Sequence, residues 1–97
     1  MITIHDLKTH PAPFEAIKSG LKTFEYRLND RNYQQGDYLN LMEYDPEMDK
    51  FTGEEITVRV SYILHGGEFG VPEGFCIMSV RGLTRLETWA LFHHDKQ

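Results

Sequence analysis

From Ile56 to Leu64 the chain sets Ile56, Val58, Val60, Tyr62 and Leu64 on one side of an extended backbone and Thr57, Arg59 and Ser61 on the other. A period of two is the signature of a strand with one face in a core, and it recurs along the chain in pieces separated by glycine, proline and acidic turns. Met1 to Leu7 sets Ile2 and Ile4 against Thr3 and His5. Thr23 to Asn29 sets Phe24, Tyr26 and Leu28 against Thr23, Glu25, Arg27 and Asn29. Asp37 to Tyr44 is apolar and aromatic, and Phe75 to Arg81 is an apolar run suited to a buried final strand. Strands this short and this numerous predict a mainly β domain of five or six strands.

One segment breaks the pattern. Pro11 and Pro13 fit only the first turn of a helix, where a missing N–H costs nothing, and Thr9 is placed to cap it. Phe14, Ile17 and Leu21 follow at helical spacing and predict a buried stripe, with Glu15 and Lys18 facing water. Gly20 suits the left-handed residue that closes a helix. The expected architecture is α+β, mainly β, with one prominent helix near the N-terminus. Leu83, Leu86 and Ala90, with Trp89 and Phe92 beside them, predict a short C-terminal helix, and His93 to Lys96 reads as its frayed end. Two regions follow, a domain over residues 1–82 and an extension over 83–97.

The length of 97 residues allows one modest core. A single cysteine, Cys76, falls in an apolar run and cannot form an internal disulfide, which suits a reducing compartment. No stretch approaches the roughly 20 apolar residues of a membrane span, so the chain reads as soluble and cytoplasmic, with no membrane partner. Its formal charge of −5 works against long duplex DNA, because non-specific affinity for a duplex comes from Lys and Arg neutralising phosphates. The acidic residues cluster between Glu43 and Glu55, however, and leave Lys8, Lys22, Arg27 and Arg31 as a basic group elsewhere. Asp45, Glu47 and Asp49 lack the calcium-loop pattern, and His93 and His94 are poorly spaced for zinc. Neither a metal nor a cofactor is expected.

The candidate chemistry lies between Ser19 and Arg31. Same-face residues on a strand stand about 6.6 Å apart, so Lys22, Glu25, Arg27 and Asn29 can present an amine, a carboxylate, a guanidinium and an amide to one ligand. A plain alternative is a solvated Glu25–Arg27 pair worth well under about 1 kcal/mol. The glycine-dense loop from His65 to Gly70 suits either a ligand contact or a simple connector.

The residues Gly20-x-Lys22-x-x-Glu25-x-Arg27, followed by Gly36-Asp37 at the start of a new strand, resemble the signature of the ASCH domain, a small β-barrel of the PUA-like superfamily. His5-x-Leu7-Lys8, Asn29-Asp30-Arg31, Glu43-Tyr44-Asp45-Pro46, Gly66-Gly67 and Pro72-Glu73-Gly74 extend the resemblance to an uncharacterised branch of that family found in bacteria and their phages. The resemblance covers roughly residues 2 to 82. It implies a PUA-like open barrel that binds RNA or a nucleotide, through a single-stranded or modified base, in a cleft beside Lys22 to Arg31. The implied ligand-binding residues are Lys22, Glu25 and Arg27, then Asn29, Arg31, His5 and Lys8, with Tyr26 or Tyr33 to stack on a base if exposed. Some similar small proteins are amidohydrolases of acetylated cytidine that use a lysine, a threonine and a glutamate. Lys22 matches the first, but Glu25 stands where their threonine falls and Ser79 where their glutamate falls. An amidohydrolase with Lys22 and Glu25 as proton carriers, and a protein-interaction module using Leu83 to Phe92, are the alternatives.

Overall fold

The computed structural model describes residues 2–93; the expectations for Met1 and for His94 to Lys96 fall outside the described residues. The elements run β1 (Ile4–Thr9), α1 (Pro11–Lys18), β2 (Phe24–Leu28), β3 (Tyr38–Asp45), β4 (Lys50–His65), β5 (Phe75–Arg81) and α2 (Arg85–His93). The five strands form one sheet in the order β1-β3-β4-β5-β2, with β1 parallel to β3 and every other pairing antiparallel. The sheet curls into a half-barrel, and β1 and β2 are its two edges. Helix α1 and the strand that follows it supply the crossover that a parallel pair requires.

Several elements form as the sequence predicts, with shifted details. Helix α1 opens at Pro11 and buries Phe14 and Ile17 in the core beside Leu7, Leu39, Leu41, Val58 and Met78. Its capping residue is His10, not Thr9, because a proline at the first helical position puts the cap one residue before it. Thr9 is instead the buried last residue of β1, and its hydroxyl donates to the Leu7 carbonyl at 3.3 Å. Gly20 has φ +84° and ends the helix as expected. Beyond it helical spacing no longer applies, so Leu21 is 87% exposed rather than part of the buried stripe.

Strand parity is where the structure departs most from expectation. In β1 the inward residues are Leu7 and Thr9, with His5 half-buried, while Ile4 is exposed. Leu7 pairs with Leu41, which has no exposed surface, and that contact sets the parity of the strand. In β4 the expected single face is broken by a register shift between Val60 and Tyr62. Such a bulge inserts one residue into the ladder and reverses the parity beyond it: Val58, Val60 and Ile63 are buried, and Tyr62 is 60% exposed. Strand β2 is inverted outright. Phe24, Tyr26 and Leu28 face out, and Glu25, 2% exposed, faces in. The β5 strand buries Cys76, Met78 and Val80, and burial pushes the Cys76 thiol pKa up.

Helix α2 buries no residue. A reciprocal cap starts it, with the Thr84 N–H donating to Glu87 Oε1 at 2.9 Å and the Glu87 N–H to Thr84 Oγ1 at 3.1 Å. Glu87 also accepts from Arg59 and Arg81, side chains of β4 and β5, which ties the helix to the sheet. Among the described residues no helix is long and apolar enough to cross a membrane.

Candidate functional site

The edge strands β1 and β2 approach one another without sharing a backbone ladder. An edge strand presents carbonyls with no strand to receive them, and here two arginines do. Arg27 donates through Nη1 to the Lys8 carbonyl at 3.1 Å and through Nη2 to Thr9 Oγ1 at 3.1 Å. Arg31, just beyond β2, donates to the Asp6 carbonyl at 3.0 Å. Side chains close the seam that the sheet leaves open.

Glu25 holds Arg27 in this position. Its Oε2 accepts Arg27 Nε at 2.8 Å and its Oε1 accepts Lys22 Nζ at 2.8 Å. A carboxylate this buried requires such partners, since an isolated one carries a large desolvation cost. The inversion of β2 follows: its charged face is satisfied inward across the seam, and its apolar face is left outward. Lys22 arrives from the end of α1, where its own N–H bonds the Ala16 carbonyl at 2.9 Å.

A hollow of about 300 Å³ opens over this network, and its lining includes Lys8, Thr9, His10, Lys22, Glu25, Tyr26 and Arg27. Three permanent cations face one carboxylate there, in a chain whose formal charge is −5. The Lys8 ammonium lies over the Tyr44 ring at 4.2 Å, outside the ion pairs of Glu25. The His10 ring lies 6.3 Å from that of Tyr44, inclined by 27°. A second hollow of about 240 Å³ lies along the same seam, with Lys8 and Arg27 lining both and Asp30, Arg31 and Tyr33 lining the second. Burial pushes the Tyr33 phenol up, against the opposing effect of Arg27 and Arg31.

The structure thus brings Lys8, Lys22, Glu25 and Arg27 into one hollow and sets Arg31 in its neighbour. Two expected residues stand elsewhere. The Asn29 side-chain oxygen accepts the Tyr33 N–H at 3.0 Å and holds the following loop. His5 pairs with Asp37 at 2.8 Å, its ring edge-on to Tyr33 at 4.9 Å. Tyr33 itself is buried and offers no free face, whereas Tyr26 is half-exposed and stacked on Phe75. Thr9 and His10, which the sequence does not mark as site residues, also line the first hollow. The signal for them was Pro11: a helix opening directly after an edge strand places the last strand residues at its mouth. Among the described residues no three of His, Cys, Asp and Glu are grouped to hold a metal.

A family model described as "Domain of unknown function (DUF3850)" matches residues 4–80. A curated relative from Escherichia phage P2, described as an uncharacterised 12.9 kDa protein in the GpA 3' region, is 38% identical over 61 residues. The aligned part is 63% of this chain and 54% of the relative, so the chain spans about half the length of the relative it matches.

Proposed function

The chain belongs to the DUF3850 family, and we propose that it is an ASCH-type module of the PUA-like superfamily that binds RNA or a nucleotide at the seam hollow. The observation that carries this is the local excess of cations: Lys8, Lys22 and Arg27 against Glu25 alone, on an acidic chain. Phosphate contacts come from such groups, and an unpaired base has His10 and Tyr26 beside them. Binding is favoured over turnover by the state of Glu25, the proton carrier of the amidohydrolase reading: its two oxygens already accept from Lys22 and Arg27.

Lys8 makes the sharpest probe, because its charge sits outside the Glu25 network. Titration of a short oligoribonucleotide is expected to shift amide resonances of residues 8–10 and 22–27. Lys8→Gln should leave the melting temperature within error, weaken binding at low salt, and reduce the slope of log affinity against log salt by about 1. An oligoribonucleotide that leaves these amides unmoved at low salt refutes the proposal.

A further inference from the structure

The outward face of β2 is the feature that the seam does not explain. Phe24, Tyr26 and Leu28 are each about half exposed on it, and Phe69, from the loop before β5, is 91% exposed beside them. Phe24, Tyr26, Phe69, Val71, Pro72 and Ile77 line a shallow apolar hollow of about 370 Å³. Contiguous apolar surface of this kind marks a contact site. Two residues join it to the cationic hollow. Tyr26 lines both, and Lys22, which lines the cationic one, holds its ammonium 4.9 Å from the centre of the Phe24 ring. Rings that continue into a cationic rim fit one occupant better than an apolar protein face: a nucleotide chain, whose bases need a flat apolar surface and whose phosphates need charge.

We propose that the apolar face of β2 and Phe69 form a stacking platform for unpaired bases, so that the ligand is a single-stranded oligonucleotide lying across both hollows rather than a mononucleotide held in one. The proposal rests on the seam hollow taking phosphate, and it adds the length of the ligand and the surface on which its bases lie. The platform reads base planes and not base edges, so it tolerates different sequences. Any discrimination between bases belongs to the polar hollow.

The test compares two probes on the full chain: a tetranucleotide of uridines and a ribose-phosphate tetramer of the same charge without bases. The uridine strand is expected to bind at least about tenfold more tightly, and to move the ring protons of Phe24 and Tyr26 upfield. Phe69→Ala, at a side chain exposed enough to be replaced without unfolding, should reduce uridine-strand affinity at least about fivefold and leave the baseless strand unchanged. Equal affinity for the two probes, with Phe69→Ala silent, overturns the platform and leaves the phosphate hollow standing. Failure of both probes to bind overturns both. A concentration-dependent dimer that Phe69→Ala dissolves, with no change in uridine-strand affinity, assigns the face to a second copy and overturns the platform.

Discussion

Replacing Arg27 by methionine keeps much of the side chain's length and removes three donated bonds at once, to Glu25, to the Lys8 carbonyl and to Thr9. Removing one partner of a buried ion pair costs about 3–5 kcal/mol, because the other charge is left in a poor dielectric. Two features of this site reduce that figure. Lys22 remains on Glu25, and the Arg27 side chain is 23% exposed, so water reaches part of the space it vacates. The expected loss is therefore about 2–3 kcal/mol, which in a domain of this size lowers the melting temperature by about 10–20 °C. Glu25→Met alone should also destabilise, by leaving Arg27 and Lys22 without their shared carboxylate. The pair Glu25→Met with Arg27→Met should be less harmful than the sum of the two by at least about 1 kcal/mol, since neither charge is then left alone. Urea and thermal unfolding followed by circular dichroism measure all four proteins. An Arg27→Met protein within about 0.5 kcal/mol of the native chain, or singles that simply add, would refute the claim that this network closes the seam.

Helix α2 depends on one carboxylate. Arg81, the Thr84 N–H and Arg59 hold Glu87 well below the usual carboxylate range. A carboxyl group depressed in the folded state contributes stability above its ordinary pKa of 4.5 and loses it as pH falls toward the folded-state value. Amides of residues 85–93 should then stay ordered to well below pH 4.5 in the native chain, and should lose their helical shifts at neutral pH in Glu87→Gln; an ordered α2 in that variant rules out the tether. Gly66→Ala should cost about 1–3 kcal/mol, because a Cβ there would stand 2.8 Å from the Phe75 carbonyl oxygen and 3.1 Å from the Gly74 nitrogen, both backbone atoms; urea unfolding checks it, and an unchanged midpoint would mean the loop yields. Cys76, fully buried with its thiol pKa raised by burial, should react with a thiol reagent at pH 8 only as fast as the domain opens, so rapid labelling of the folded chain would contradict the packing of β5.

The order and kind of most elements were legible because period, proline and glycine are local signals. Pro11 and Gly20 bracket α1, and Cys76, Met78 and Val80 alternate inward on β5. Parity was not legible, and β2 shows why. Alternation separates Phe24, Tyr26 and Leu28 from Glu25 and Arg27, but which set faces inward depends on what lies across the seam. The Lys8 carbonyl and Thr9, 19 and 18 residues from Arg27 in sequence, make the charged face the one that can be satisfied inside. The bulge beyond Val60 has no glycine or proline to announce it, and Ser61 reads as an ordinary polar strand residue. The same locality explains His5 and Asn29. Their partners, Asp37 and the Tyr33 N–H, are set by the crossover and the loop, and these withdraw both side chains from the hollow.

Arg27 bridges the two edge strands and also lines the hollow, and the two roles support one another. A guanidinium carries five N–H donors; Glu25, the Lys8 carbonyl and Thr9 take one each, leaving two for a ligand. Because the seam already fixes the side chain, little rotamer freedom remains to be lost on binding, which is the condition under which a hydrogen bond adds most to affinity. It follows that loss of binding in an Arg27 variant cannot by itself separate recognition from an opened seam. Lys8 separates them, since its ammonium meets the Tyr44 ring and leaves Glu25 to Lys22 and Arg27. If Lys8→Gln weakens oligoribonucleotide binding at unchanged stability, the hollow recognises a ligand. If Arg27→Met alone has an effect, and only in proportion to its loss of stability, the cations of the seam are there to hold two strand edges together.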